Sequence, residues 1–214
     1  MKKPILTIAA AAAFFVPASN AQGIQLEKPL PVIRKGTLSI GTDIGLGSLS
    51  TNRISPSQTN VLYDVRLNPS ISYFVTDHLM LSGSVSVGLA QNFNYFMEPE
   101  RYNGASLGIS LGSRYYFGSG LTRKGELKKL RFYGEVGIGM EQRWEKWTGM
   151  YSGDVAKSSN GTAFANLGAG MNYFLAPNVA LEAGLSYNRY FPGFTQADAS
   201  FQMKLGVRVF LRKK

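Results

Sequence analysis

Residues 200 to 211 are the part of the chain that most restricts what it can fold into. Apolar side chains occupy every second position of this segment, at Phe201, Met203, Leu205, Val207, Val209 and Leu211. Gln202, Lys204, Gly206 and Arg208 lie between them. A period of two over this length predicts a β-strand with one apolar and one polar face. It matches the roughly 9–11 alternating residues that a membrane-crossing strand needs, because one face meets lipid and the other a polar lumen.

Seven earlier segments alternate in the same way, beginning near Leu38, Val61, Leu79, Ala105, Leu130, Ala163 and Val179. The predicted connections alternate between loops at 48–60, 91–103, 142–160 and 189–198 and turns at 76–78, 118–129 and 176–178, of which 118–129 is longer than periplasmic turns usually are. An even strand number with alternating loop lengths predicts an all-β fold, an eight-stranded antiparallel up-and-down transmembrane β-barrel with both termini periplasmic. A local bulge is expected at Pro69, which cannot donate to a ladder. A soluble periplasmic sandwich, with its apolar faces buried against each other, is the alternative.

The N-terminus predicts export from the cytoplasm. Lys2 and Lys3 precede an apolar run at 5–16, and Ser19-Asn20-Ala21 supplies small residues for cleavage after Ala21, with cleavage after Ala18 as the alternative. We therefore expect a cleaved signal peptide at 1–21, a periplasmic lead-in at 22–35 and the barrel at 36–214. The formal charge of +10 does not indicate nucleic acid as a partner, because an exported chain does not meet it.

Charged side chains are predicted on the inward face of the barrel. They are Asp43, Asp64, Arg66, Arg114, Arg131, Glu135, Glu182, Lys204 and Arg208, with Glu141 close to the loop end. A barrel of eight strands is just wide enough for its own side chains to fill, and buried charges must pair. Inward Gly and Ser residues leave space for the long side chains. The sequence therefore predicts a lumen closed by a polar and ionic network, with a conducting pore as the alternative.

Two groups of aromatic residues are predicted on the outside. Tyr73, Tyr115 and Tyr173 fall at the same end of strands two, four and six, where a barrel carries an interfacial girdle. In a sandwich they would belong to the core. Loop three carries Arg143, Trp144, Lys146 and Trp147, which form the candidate surface for contact with a partner. The alternative for these residues is a position at the membrane interface.

No catalytic residue, metal site or cofactor is predicted. The chain has no Cys, and its one histidine, His78, falls in a short periplasmic turn. A nucleophile with a neighbouring general base is therefore not expected at the outer rim. The acidic residues of the loops match no calcium-binding spacing.

Three segments carry a family pattern: Pro69 with Tyr73-Phe74, Tyr173-Phe174 with Pro177-Asn178, and the stretch from Gly206 to Leu211. Through them the chain resembles the outer membrane protein β-barrel domain family, which contains small eight-stranded barrels. The resemblance covers about residues 36–211 and implies a barrel in the outer membrane of a Gram-negative bacterium. It implies no single activity, because one fold carries many functions.

The last strand also resembles the C-terminal signal that directs outer-membrane barrels to the insertion machinery, through Lys204, Gly206, Val209 and Leu211. The chain departs from that signal by continuing through residues 212–214 instead of ending on an aromatic residue. The expected partners are outer-membrane lipid and lipopolysaccharide, the insertion machinery, and an unidentified surface partner.

We expect a non-enzymatic outer-membrane barrel that acts as a structural or loop-mediated interaction protein. Transport or binding of small apolar molecules through the barrel is the alternative. It would require a lumen lined by Leu, Ile and Phe, whereas the predicted inward face is polar.

Overall fold

A computed structural model describes residues 33–51, 61–94, 100–118, 128–149, 155–191 and 197–211. The predicted signal peptide, its cleavage after Ala21 and most of the lead-in lie outside these residues. Within the described part, no helix is long and apolar enough to cross a membrane.

Eight strands form one closed antiparallel barrel in chain order, and β8 pairs with β1 to complete it. The strands are β1 Leu38–Thr51, β2 Val61–Phe74, β3 Leu79–Asn94, β4 Glu100–Tyr116, β5 Leu130–Gly149, β6 Val155–Ala176, β7 Val179–Tyr190 and β8 Ala197–Leu211. The β2–β3, β4–β5 and β6–β7 connections meet at one end, together with residue 33 and Leu211. We call this the short-turn end and the opposite one the loop end.

Alternation along the strands puts the apolar side chains outside. Leu111, Ile138 and Leu185 are each exposed by about two-thirds, and polar side chains such as Arg114, Glu182 and Arg208 are buried in the lumen. A sandwich would bury these large apolar residues, because burying a Leu or Ile side chain contributes about 1.5–3 kcal/mol. The sandwich alternative is therefore wrong, and the polar face is the interior.

The expected bulge at Pro69 is also wrong. Pro69 pairs with Thr42 of β1 in a continuous register. On its other side, the β2–β3 ladder skips Asn68 and Pro69 and resumes at Ser70↔Ser84 in the register set by Leu67↔Val87. The missing N–H of proline thus removes ladder pairs without inserting an extra residue.

The strands at the loop end are longer than predicted. Strands β5 and β6 stay paired as far as Thr148↔Val155, so their connection is 150–154 rather than 142–160. Strands β3 and β4 likewise pair as far as Asn94↔Glu100. Outward apolar residues stop earlier than the ladder does, and this is why the pattern predicted loops too soon.

Candidate functional site

The lumen is closed at the short-turn end by a cluster of apolar side chains, which we call the apolar plug. It contains Ile33, Phe74, Met80, Tyr116, Tyr133, Phe174, Ala180 and Phe210, all buried. Ring centroids lie 5.6 Å apart for Phe74 and Tyr116 and 5.4 Å apart for Phe174 and Phe210. Such spacing is typical of favourable aromatic pairs. The lead-in takes part through Ile33, and a backbone hydrogen bond from Gly36 N–H to the Phe74 carbonyl (2.8 Å) holds it to β2.

Above the plug lies a group of charged side chains from four strands, the Glu182 cluster, which consists of Arg114, Glu135, Glu182, Lys204 and Arg208. Arg114 Nη2 and Nη1 contact Glu182 Oε1 and Oε2 at 2.7 and 2.9 Å. Arg208 Nε contacts Glu182 Oε2 at 2.8 Å. Arg114 and Lys204 both reach Glu135, at 2.7 and 2.8 Å. Each carboxylate therefore accepts from two cations, which offsets the cost of burying the charges.

Neighbouring polar groups complete this layer. The Tyr133 hydroxyl donates to Glu182 Oε1 at 3.0 Å, and its ring lies 3.8 Å from the Arg114 guanidinium carbon. Arg208 Nη1 donates to the hydroxyls of Ser39 and Ser72, both at 3.2 Å. Its Nη2 donates to the Ser70 hydroxyl at 3.5 Å, so the donors of Arg208 are shared between one carboxylate and three hydroxyls.

A second charged group crosses the lumen nearer the loop end. This Glu141 cluster contains Asp64, Arg66, Glu141 and Arg143, all buried. Arg66 Nη1 and Nη2 contact Glu141 Oε2 and Oε1 at 2.5 and 3.3 Å, and Arg143 Nη2 contacts Oε1 at 2.8 Å. Arg66 also pairs with Asp64 on its own strand. The cluster ties β2 to β5 across the barrel.

Between the two clusters lies a polar cavity of about 100 Å³. Neutral polar side chains line much of it, including Asn68, Ser84, Ser110, Asn166, Asn188 and Gln202. Ser84 and Ser110 share a hydrogen bond of 2.7 Å, and Asn166 donates to Asn188 at 3.2 Å. A polar space of this size holds a few water molecules, since one water needs about 10–15 Å³.

Inward glycines make room for the large side chains. A Cβ at Gly168 would stand 2.8 Å from Glu135 Oε1 and 3.0 Å from the Leu185 carbonyl oxygen. At Gly41 it would stand 3.1 Å from the Arg208 guanidinium carbon. The absence of side chains at these positions lets long residues from adjacent strands lie across the wall. Small inward residues and long charged residues are therefore complementary parts of one packing arrangement.

Most of the nine predicted lumen residues come together in the two clusters, but Asp43 and Arg131 form no ion pair with any residue in the described ranges. Asp43 accepts a hydrogen bond from Asn68 Nδ2 at 2.8 Å. Arg131 lies below the Glu182 cluster, donates to the Gly118 carbonyl at 3.3 Å and faces the Tyr116 ring. The prediction that a charged side chain points inward therefore did not determine which charged side chains form ion pairs.

The placement of the candidate contact residues in a loop is wrong. Arg143, Trp144, Lys146 and Trp147 belong to β5, and the Trp147 side chain lies outside the described residues. Arg143 is buried in the Glu141 cluster, whereas Trp144 is about half exposed and Lys146 exposed on the outer face. The inward parity that begins at Arg131 and Tyr133 continues to Glu141 and Arg143. The inward position of Glu141 was predicted, and extending the same parity by two residues is the signal that would have found Arg143.

The remaining predicted positions lie on β8 and on the outside of the barrel. Lys204 points inward to Glu135, Gly206 packs against Asp43, and Leu211 is exposed on the outer face, with Val209 half-buried. Tyr73, Tyr115 and Tyr173 are each about half exposed at the short-turn end. Recognition of β8 during insertion and anchoring by the tyrosines stay predictions.

Solved structures share this architecture at low sequence identity. A major outer membrane protein of Thermus thermophilus matches with a TM-score of 0.55 and 15% identity, covering 81% of this chain and 99% of that one. Ail, the attachment invasion locus protein of Yersinia pestis, matches with 0.54 and 14%, covering 83% and 99%. OprG of Pseudomonas aeruginosa matches with 0.52 and 12%, covering 87% and 100%. At these identities the likeness shows the fold alone.

No curated protein sequence matches the chain significantly. The sequence profile of the outer membrane protein beta-barrel domain, in contrast, matches residues 6–210, which is nearly the whole chain. The outward apolar band, the closed ladder and the buried polar lumen agree with that match. The chain belongs to the outer membrane protein β-barrel domain family, and it is a membrane protein of the Gram-negative outer membrane.

Proposed function

We propose that this protein is a closed, non-enzymatic outer-membrane barrel that acts as a structural protein and through contacts at its loop end. The observation that carries the proposal is the stacking of three layers across the lumen: the apolar plug, the Glu182 cluster and the Glu141 cluster. Each layer joins side chains from opposite walls. A barrel of eight strands has no room for a further aqueous path beside such layers.

The polar lining of the lumen supports the alternative function, transport of small apolar molecules, less well. Between the two clusters the wall carries Ser, Asn and Gln side chains, and Gln202 Nε2 has no hydrogen-bond partner among the described residues. An apolar guest would leave such buried polar groups unsatisfied, at a cost of about 1–3 kcal/mol each. The cavity is suited to water.

The absence of catalytic chemistry is part of the same proposal. His78 is the one histidine of the chain, and it lies in the β2–β3 turn, where its Nδ1 stands 3.2 Å from the Tyr116 carbonyl oxygen. The lumen carboxylates Glu135, Glu141 and Glu182 each form ion pairs with arginine or lysine. Carboxylates held in this way are structural ion pairs rather than general bases.

The orientation and the partners are part of the same proposal. We place the short-turn end and both termini in the periplasm and the loop end outside the cell, because two of the three connections at the short-turn end, 75–78 and 177–178, have the length of periplasmic turns. The third, 117–129, is longer than the loop-end connections. Partners would then be membrane lipid and lipopolysaccharide around the wall, an unidentified surface partner at the loop end, and the insertion machinery through Lys204, Gly206, Val209 and Leu211. Protease treatment of intact cells, followed by mapping of the cut sites, tests the orientation.

Conductance across a planar lipid bilayer tests the closed lumen. The purified protein should show no stable open-pore steps under conditions in which a general porin does. Replacing Arg66, Glu141 and Arg143 by serine should leave it closed, because the Glu182 cluster and the apolar plug remain. A stable ohmic pore formed by the wild-type protein would overturn the proposal.

A further inference from the structure

The outer face of the barrel at the loop end carries an apolar row and a basic row of side chains that take no part in the contacts of the lumen. Leu89, Ala105 and Trp144 lie side by side on β3, β4 and β5, as the pairs Leu89↔Ala105 and Ala105↔Trp144 show. The next outward row toward the loop end contains Lys146 and Lys157, which are direct partners across the β5–β6 ladder. An apolar row is therefore followed by a basic one on the same face.

The lysine pair is unusual because like charges directly opposite each other destabilise a sheet. Lys146 and Lys157 are both exposed, and neither forms an ion pair with another residue in the described ranges. The Arg and Glu residues of the two lumen clusters, by contrast, form ion pairs such as Arg66–Glu141, Arg114–Glu182 and Arg208–Glu182 at 2.5–2.8 Å. An anion bound between the two ammonium groups would relieve their repulsion.

A groove of about 580 Å³ joins the two rows. Leu89, Ala105 and Trp144 line it on the hydrocarbon side, and Lys146 and Lys157 line it toward the loop end. Glu145 also lines the groove, but it lies between Trp144 and Lys146 at the inward parity of β5, so the outward charges of the groove are the two lysines. A ligand that fits this groove has an apolar portion directed toward the hydrocarbon and an anionic portion directed away from it. A phosphorylated lipid has both.

The height of the groove agrees with a lipid headgroup. On β4 the outward apolar run Leu111, Ile109, Leu107 ends at Ala105, the partner of Trp144. Tryptophan concentrates at membrane–water interfaces. Two residues along a tilted strand advance about 5 Å along the barrel axis, which is close to the thickness of one interfacial layer. The lysines therefore stand at the level of headgroup phosphates.

We propose that Lys146 and Lys157, with Trp144 below them, form a binding site for a phosphate group of an outer-leaflet lipid, the lipid A part of lipopolysaccharide. The assignment rests on the proposed orientation, in which the loop end faces the cell exterior. It does not depend on whether the lumen is closed. Failure of this site and failure of the closed-lumen proposal are thus separate outcomes.

Fluorescence titration tests the site in detergent-solubilised full-length protein. The chain has two tryptophans, so Trp147→Phe leaves Trp144 as the single reporter. In that background, bisphosphorylated lipid A should change the Trp144 emission saturably. The double variant Lys146→Gln/Lys157→Gln should raise the Kd roughly tenfold or more, because two charge-assisted contacts are lost. Lipid A without phosphates should bind the parent no better than it binds the double variant.

The matched control is Lys128→Gln/Lys129→Gln, which removes the same charge from two exposed residues at the short-turn end. It should leave the Kd unchanged. Equal Kd values for both double variants would overturn the proposal, and so would tight binding of lipid A that needs no phosphate. Heparin, a soluble polyanion, is titrated in parallel. If the parent bound heparin and the Lys146→Gln/Lys157→Gln variant lost that binding while it kept lipid A binding, the proposal would also be overturned and the lysines assigned to a soluble polyanion. Heat-modifiable gel migration checks that each variant is folded, and Lys157→Gln alone serves if the double variant is not.

Discussion

Arg114 and Glu182 lie three strands apart around the barrel, on β4 and β7, and their side chains meet inside it in a two-point ion pair with N–O distances of 2.9 and 2.7 Å. The same carboxylate accepts from Arg208 on β8. The Tyr133 hydroxyl of β5 also donates to it, so one glutamate links four strands, which form the neighbouring pairs β4–β5 and β7–β8 on different sides of the barrel. This geometry makes Glu182 the residue on which the lower charged layer depends.

Replacing Glu182 by methionine should destabilise the barrel by about 3–5 kcal/mol, because it leaves the buried Arg208 without its carboxylate and Arg114 with Glu135 alone. Urea unfolding of the protein refolded into lipid vesicles measures this loss. The double variant Glu182→Met/Arg208→Met removes one charge of each sign and should be more stable than the single variant. A double variant as unstable as the single one, or a single variant as stable as the parent, would contradict the ion-pair account.

Inward glycines should tolerate a methyl group less well than outward ones. A Cβ at Gly168 meets Glu135 and the Leu185 carbonyl at 2.8–3.0 Å, whereas a Cβ at the outward Gly83 meets only Leu111 Cδ2 at 3.7 Å. Gly168→Ala should therefore cost about 1–3 kcal/mol, as overpacking does. Gly83→Ala should be neutral or slightly stabilising, because alanine restricts the unfolded chain. Equal unfolding midpoints for the two variants would show that Gly168 does not make room for Glu135.

The alternation of apolar and polar residues was sufficient to predict the eight strands, their order and their two faces, because successive side chains of a barrel strand point alternately to lipid and to the lumen. It misplaced the loop-end boundaries, since the requirement for outward apolar residues ends at the hydrocarbon edge while the ladder continues through Gln142, Trp144 and Lys146. The bulge expected at Pro69 is absent because the missing N–H of proline removes pairs from the β2–β3 ladder while the register on both sides of β2 stays the same.

The sequence did not predict which charged side chains of the lumen form ion pairs with each other. Arg114 and Arg131 both lie on inward faces, yet Arg114 contacts two carboxylates, whereas the contacts of Arg131 within the described part of the chain are a carbonyl and a ring. Which charges meet depends on strand tilt and on the glycines that let side chains cross, and both are properties of the closed barrel. The aromatic residues of the plug are dispersed over several strands in the sequence, so only closure of the barrel reveals them as one cluster.

The burial of Arg143 predicts a difference between two cations that lie three positions apart. Arg143→Met removes one of the two arginine partners of Glu141 and should cost about 1–3 kcal/mol. Lys146→Met changes an exposed outer residue and should alter the free energy of unfolding by less than about 0.5 kcal/mol. Urea unfolding of the parent and of both variants in the same lipid vesicles measures the two changes in the free energy of unfolding. If the lysine variant lost as much stability as the arginine variant, the side-chain parity of upper β5 would be wrong.

The lead-in should be held to the barrel by Ile33. This side chain is 4% exposed in the apolar plug, and the neighbouring backbone is fixed by Lys35 N–H donating to Asp77 Oδ1 at 2.8 Å. Ile33→Asp would bury a charge among aromatic rings, so the segment should detach. Trypsin should then cut after Arg34 and Lys35 much faster than in the parent, while cleavage after the exposed Lys129 stays unchanged and serves as the internal control. Ile33→Leu should protect the segment as the parent does, because it keeps the apolar volume. Equal cleavage rates for the Asp and Leu variants would mean that the plug closes the short-turn end without help from the lead-in.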